Sequence, residues 1–186
     1  MQALKEWSAL KEWAVVVRAL EEGKQCVLFR KGGILDPGFS VESPEFLLFP
    51  TFEHQGGDYL KDDYKTRYDE LLAGKPQENV TITSAAKVVA ARETGEKQTL
   101  YKLSKYHIYD NSFIDYRMEW NKDQPMNVLL VRTYELAAPL TIKMLPEYSG
   151  CRSWIRIRST DANLGKPVIE DKEFNGLKSE IEVLLA

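Results

Sequence analysis

The sequence is poor in the residues that staple small proteins together and in those that most often carry catalysis. Only two of its 186 residues are cysteine and two are histidine. Cys26 and Cys151 form no CxxC pair, which argues against a disulfide scaffold or a cysteine-rich zinc site and points to reduced thiols in a cytoplasm. His54 and His107 belong to no HExxH string, and no spacing recommends a metal centre or any other cofactor. GxxxxGK[ST], GxGxxG and GxSxG are all missing, so a P-loop, a dinucleotide fingerprint and a nucleophile elbow find no support. Long apolar runs are lacking too. The stretches at residues 46–50 and 128–131 fall far short of the roughly 20 residues a spanning helix needs, so no membrane partner is expected. The opening MQALKEW shows no leader pattern, and no signal peptide is expected. An excess of one charge is also missing: 25 Lys+Arg against 28 Asp+Glu leaves −3. That balance speaks against a generic coat for polyanions but leaves room for a local basic groove.

What is present is ordinary for a globular chain: 44% hydrophobic, 28% charged and 11% aromatic residues. The length fits one domain over residues 1–186 with a core large enough to need no staples. Residues 3–22 read as one or two helices, with Val16, Val17 and Leu20 at helical spacing and Gly23 as a C-cap. The three valines keep a strand over 14–20 open. Strands are expected over 25–31, 45–52, 80–91, 126–136, 140–143 and 152–158. Leu60, Tyr64, Tyr68 and Leu71 predict a surface helix, residues 98–106 a short one, and Phe174, Leu177, Ile181, Leu184 and Leu185 a closing helix over about 170–186. The plan is therefore a helical N-terminus over 1–22, a β-rich body over 24–158 and a C-terminal helix. The fold class expected is α+β, with a mainly antiparallel sheet that is strongly curved or closed into a barrel.

Three polar constellations stand out. RKGGI places Arg30 and Lys31 before Gly32 and Gly33, either a backbone that approaches a phosphate or a tight turn between solvated cations. PTFEHQ gathers Thr51, Glu53, His54 and Gln55 at the end of an apolar strand, where such groups serve a site or cap the backbone. GCRSWIRIR holds three arginines and a tryptophan without an acid. On a strand, Arg152, Trp154, Arg156 and Arg158 share one face, suited to phosphate contact and base stacking or simply to solvent.

Taken together, ALKEWAVVV…VLFRKGGI, FLLFPTFEHQ and YSGCRSW resemble a prokaryotic family known only as a domain of unknown function, a likeness running from Ala9 to about Trp154 and more weakly to the C-terminal helix. A helix, Gly23 and a strand reaching Arg30 also resemble the opening of ASCH domains of the PUA-like superfamily, where G-x-K-x(4)-R lies at the mouth of a β-barrel. Gly23 and Arg30 hold two of those positions. The lysine, catalytic in ASCH amidohydrolases, is replaced by Gln25, with Lys24 one place early. AAKVVAARE, YKLSKYHIYD and NVLLVRTYELAAPLTI resemble the second half of EVE domains, also PUA-like. These resemblances imply a PUA-like barrel with flanking helices and a cleft for RNA, DNA, a nucleotide or a modified base.

Three readings follow. In the first, Arg30, Lys31, Gly32, Gly33, Thr51, Gln55, Arg152 and Trp154 bind nucleic acid or a nucleotide. In the second, the protein is a hydrolase, an amidohydrolase or a nuclease, with Lys31 and Glu53 as the working pair and His54 as acid or base. In the third, it is a protein-interaction module. Convergence of Lys31, Glu53, His54 and Arg152 on one pocket would favour the first two.

Overall fold

The computed structural model describes residues 5–31, 38–53, 56–76, 78–159 and 162–186. KEWSALKEW, rich in good helix formers, is not helical: Lys5–Trp13 is strand β1, and only Ala14–Glu21 forms helix α1. Alternation explains the strand. Trp7 and Ala9 enter one core while Leu10 enters another, so both faces are buried and pairing outweighs helix propensity. The valines that favoured a strand sit in α1, where six of its residues are buried. Gly23, at φ +67°, ends this helix in the left-handed conformation a C-cap demands.

The remaining strands are β2 (Val27–Arg30), β3 (Glu45–Thr51), β4 (Asn79–Thr94), β5 (Met126–Lys143), β6 (Trp154–Ser159) and β7 (Leu164–Pro167). The helices are α2 (Asp62–Ala73), α3 (Lys97–Lys102), α4 (Asn111–Glu119) and α5 (Asp171–Leu184). Most strands lie where the sequence places them, but residues 126–143 are one long strand, and α4 and β7 were not foreseen. The sheet runs β2-β5-β4-β3-β1-β6, with β7 pairing β5. All its pairings are antiparallel except the parallel β1–β3 pair.

The sheet is mixed and seven-stranded, and it does not close into the expected barrel. Register shifts between Ile82 and Ser84 and between Val88 and Ala90 bend the long β4–β5 ribbon, as bulges do. One face packs with α1, α3, α4 and α5 around Leu28, Phe46, Val128 and Leu130; the other encloses Trp7, Leu47, Phe49, Ile82 and Ile155. The C-terminal helix closes the first core through Phe174 and Ile181, as its periodicity predicts. Between the edge strands β2 and β6, side chains take the place of a barrel's hydrogen-bond ladder: Arg30 reaches from β2 to Glu12 on β1 and to Ser153 ahead of β6. Among the described residues, no helix is long and apolar enough to cross a membrane.

Candidate ligand-binding site

The parallel strands β1 and β3 end side by side, Trp13 opposite Thr51. Their last residues turn from apolar to polar. Lys11 continues the alternation of Trp7 and Ala9 and lies at the mouth of the inner core, 5% exposed. Its ammonium donates to Glu53 at 3.2 Å and to the Gly150 carbonyl at 2.7 Å. Glu12 accepts the Trp13 N–H at 2.9 Å with one oxygen and Arg30 at 3.1 Å with the other. Arg30 also donates to the Lys11 carbonyl at 3.3 Å and to the Ser153 hydroxyl at 2.8 Å. A buried carboxylate and guanidinium are costly unless each is satisfied, and here the bonds hold three strand ends in one arrangement.

Helix α4 supplies the opposite wall. Asp110 caps it by accepting the Ser112 N–H at 2.9 Å. Tyr109 and Phe113 stack with centroids 4.0 Å apart, and Trp13 meets both edge-on at 5.9 and 5.6 Å. Arg117 lies over Trp120 at 4.9 Å. Together these elements enclose a cavity of about 370 Å³. Its lining includes seven aromatic rings, from Trp13, Phe29, Tyr59, Tyr109, Phe113, Tyr116 and Trp120. It also includes Lys11, Arg30, Arg117 and Arg152 against Glu12 and Glu53, an excess of two positive charges in a chain of net charge −3.

The cavity perturbs its own groups. Burial first, then the Glu12 charge, pushes the Tyr109 hydroxyl well above its ordinary value. Burial lowers the Arg117 guanidinium, and the Arg30 charge lowers it further. The two guanidiniums share the cavity with the Glu12 carboxylate, which pairs with Arg30 at 3.1 Å.

Of the residues singled out in the sequence, Arg30, Thr51, Glu53 and Arg152 line this cavity. Lys31 does not. Its buried ammonium donates to the Met118 carbonyl at 3.0 Å, in a smaller recess with Gln124 and Asn127. The Lys31–Glu53 pair is therefore replaced by Lys11–Glu53. Gly32, Gly33, His54 and Gln55 lie outside the described residues. Trp154 is also turned elsewhere: its indole donates to the Ser40 carbonyl at 2.9 Å, and its ring packs on Phe39 and Phe46. Arg156 pairs with Glu42 at 2.8 Å and Arg158 with Glu6 at 3.4 Å, so the face read as phosphate-binding is ion-paired on strand β6, and Arg152 precedes that strand. Gln25, at the lysine position of the ASCH pattern, is buried, donating to the Val27 carbonyl and accepting the Ile108 N–H.

Sequence reasoning missed Lys11, Glu12 and the whole of α4. One signal was available. Phe113, Tyr116 and Trp120 recur at intervals of three and four, a helical stripe following an Asp-Asn-Ser start, with Arg117 beside it. Lys11 and Glu12 gave none, because inside LKEW they read as the polar side of a helix.

A family model described as Domain of unknown function (DUF1802) matches residues 9–180. No curated protein matches the chain. Among solved structures, an ASCH domain from Zymomonas mobilis matches at 14% identity and a TM-score of 0.42, over 67% of this chain and 66% of that one. Two single-residue variants of the Zymomonas protein match at 11% and 12% identity with TM-scores of 0.45 and 0.44. They cover 93% and 92% of this chain and 94% and 96% of theirs. The opening residues of the sequence resemble the same family, but likenesses of this strength transfer no activity.

Proposed function

The chain belongs to the DUF1802 family, a domain of unknown function, and we propose that it binds a nucleotide, free or within a nucleic acid, in the cavity between the strand ends and α4. One observation carries the reading: aromatic walls and a surplus of cationic side chains meet in one cavity of a chain that is acidic overall. Rings offer faces to a base, and guanidiniums offer forked donors to a phosphate. The volume, about 370 Å³, lies near the lower end of the range of roughly 300–1,000 Å³ for ligand pockets, room for one nucleotide unit. Two unbridged cysteines fit a reducing, cytoplasmic setting.

Calorimetric titration with the four common nucleoside 5′-monophosphates, the matching nucleosides and inorganic phosphate tests this reading. Binding of at least one monophosphate, tighter than its nucleoside or phosphate alone, is expected. No binding of any monophosphate at low salt would overturn it.

A second reading keeps the cavity and adds chemistry. The Lys11 ammonium and Glu53 carboxylate stand 3.2 Å apart beside Thr51, a pairing able to move a proton in a hydrolytic step. Incubating the titrated samples and searching for hydrolysed product decides between binding and turnover.

A further inference from the structure

Tyr116 lies at the edge of the cavity with half of its surface exposed. Among the described residues, the other exposed large hydrophobic side chains are aliphatic, and of Val41, Leu72, Val89 and Val183 only Val183 is more exposed than Tyr116. Tyr116 is also held in place. Its ring stacks on Tyr59, with centroids 5.0 Å apart and planes 22° from parallel. Tyr59 in turn packs edge-on against Phe113 at 6.2 Å. A stacked aromatic that keeps half its surface in water forgoes burial and presents a fixed flat face. The next residue, Arg117, lines the cavity and lies over Trp120. A platform and a cation therefore both line the cavity, the platform half-exposed to solvent.

Resting on the nucleotide reading, we propose that the ligand is a single-stranded nucleic acid segment. One nucleotide occupies the cavity, and the base next to it stacks on the outward face of Tyr116. A cavity of about 370 Å³ is filled by one nucleotide, so a free mononucleotide leaves the platform unused. A strand uses both. Its linking phosphodiester passes Arg117, whose guanidinium lines the cavity beside the platform. Stacking of this kind tolerates any base, so the platform adds affinity without adding sequence preference.

The test compares affinities for the best-binding nucleoside 5′-monophosphate and for the 5′-phosphorylated dinucleotide of the same base, in ribose and deoxyribose forms. The dinucleotide should bind about five to a hundred times more tightly, the range for one base on one aromatic ring. In Tyr116→Ala that ratio should fall to about one, and Tyr116→Phe, which keeps the flat face, should restore it. A monophosphate that binds while its dinucleotide binds no better would overturn the two-base footprint and leave the nucleotide reading standing. Failure of both probes to bind would overturn the two together. An unchanged ratio in Tyr116→Ala would remove Tyr116 from the proposal and with it the proposal itself.

Discussion

Burial at His107 keeps an imidazole neutral at acidic pH, where water alone would leave it protonated. The ring is 2% exposed, meets Phe29 edge-on at 4.9 Å and has the Lys61 ammonium nearby, which donates to the His107 carbonyl at 2.7 Å. Burial first, then the Lys61 charge, drives its pKa from 6.5 down to about 3. The unfolded chain therefore binds a proton below about pH 6.5 that the folded protein refuses until about pH 3. Stability is lost as pH falls through that window, by at most about 1.4 kcal/mol per pH unit. In His107→Phe this part of the slope should vanish, read by denaturant unfolding at several pH values. Parallel slopes in the two proteins would show that His107 is not held neutral. The same residue shows the limit of reading chemistry from residue type. Only His54 was singled out in the sequence, on its polar neighbours, and packing shows that His107 is a core side chain. Lys31 and Lys11 exchange roles for a similar reason: each is a lysine near a strand end, and the register alone decides which one reaches Glu53.

At the scale of elements, β5 carries the molecule. It pairs β2, β4 and β7, and its burial is nearly continuous over residues 126–131. Leu130, 1% exposed, lies opposite Val27 on one side and Ala90 on the other. Leu130→Ala should cost about 2–5 kcal/mol by thermal or denaturant unfolding, the range for a core cavity, and a change within error would show that the strand is not central. This strand was legible because an apolar run resists every reading except a buried one. Strand β1 was not, because Leu, Lys, Glu and Ala favour helix locally and only pairing to β3 and β6 makes them a strand. Helix α4 was missed although its aromatic stripe and Asp110 cap were visible, because its surroundings read as a polar excursion between strands.

At the scale of the whole molecule, the open sheet is what makes a site. A closed barrel would tie β2 to β6 by backbone hydrogen bonds. Here Arg30 joins the two edges through Glu12 and Ser153, and the cavity lies at that junction with α4 as its far wall. Curvature was legible in the succession of β-prone segments. Openness was not, because the edge strands β2 and β6 lie more than a hundred positions apart and only tertiary packing decides whether they pair. Half of the site could be read for the same reason: Arg30, Thr51, Glu53 and Arg152 sit at strand ends or in loops that sequence punctuation marks, whereas Lys11, Glu12 and Arg117 arrive by tertiary packing.

The central claim is that ligand binds in the α4 cavity and not on the arginines of β6. Affinity for the best-binding nucleotide, measured across two substitutions, tests it most directly. Arg117→Gln removes a cation lining the cavity, and Arg158→Gln removes one that is exposed and ion-paired to Glu6 outside it. Arg117→Gln should lose at least tenfold in affinity, the scale of about 1.5 kcal/mol or more for a charged hydrogen bond, and Arg158→Gln nothing beyond error. An intact affinity in Arg117→Gln with a loss in Arg158→Gln would contradict that claim.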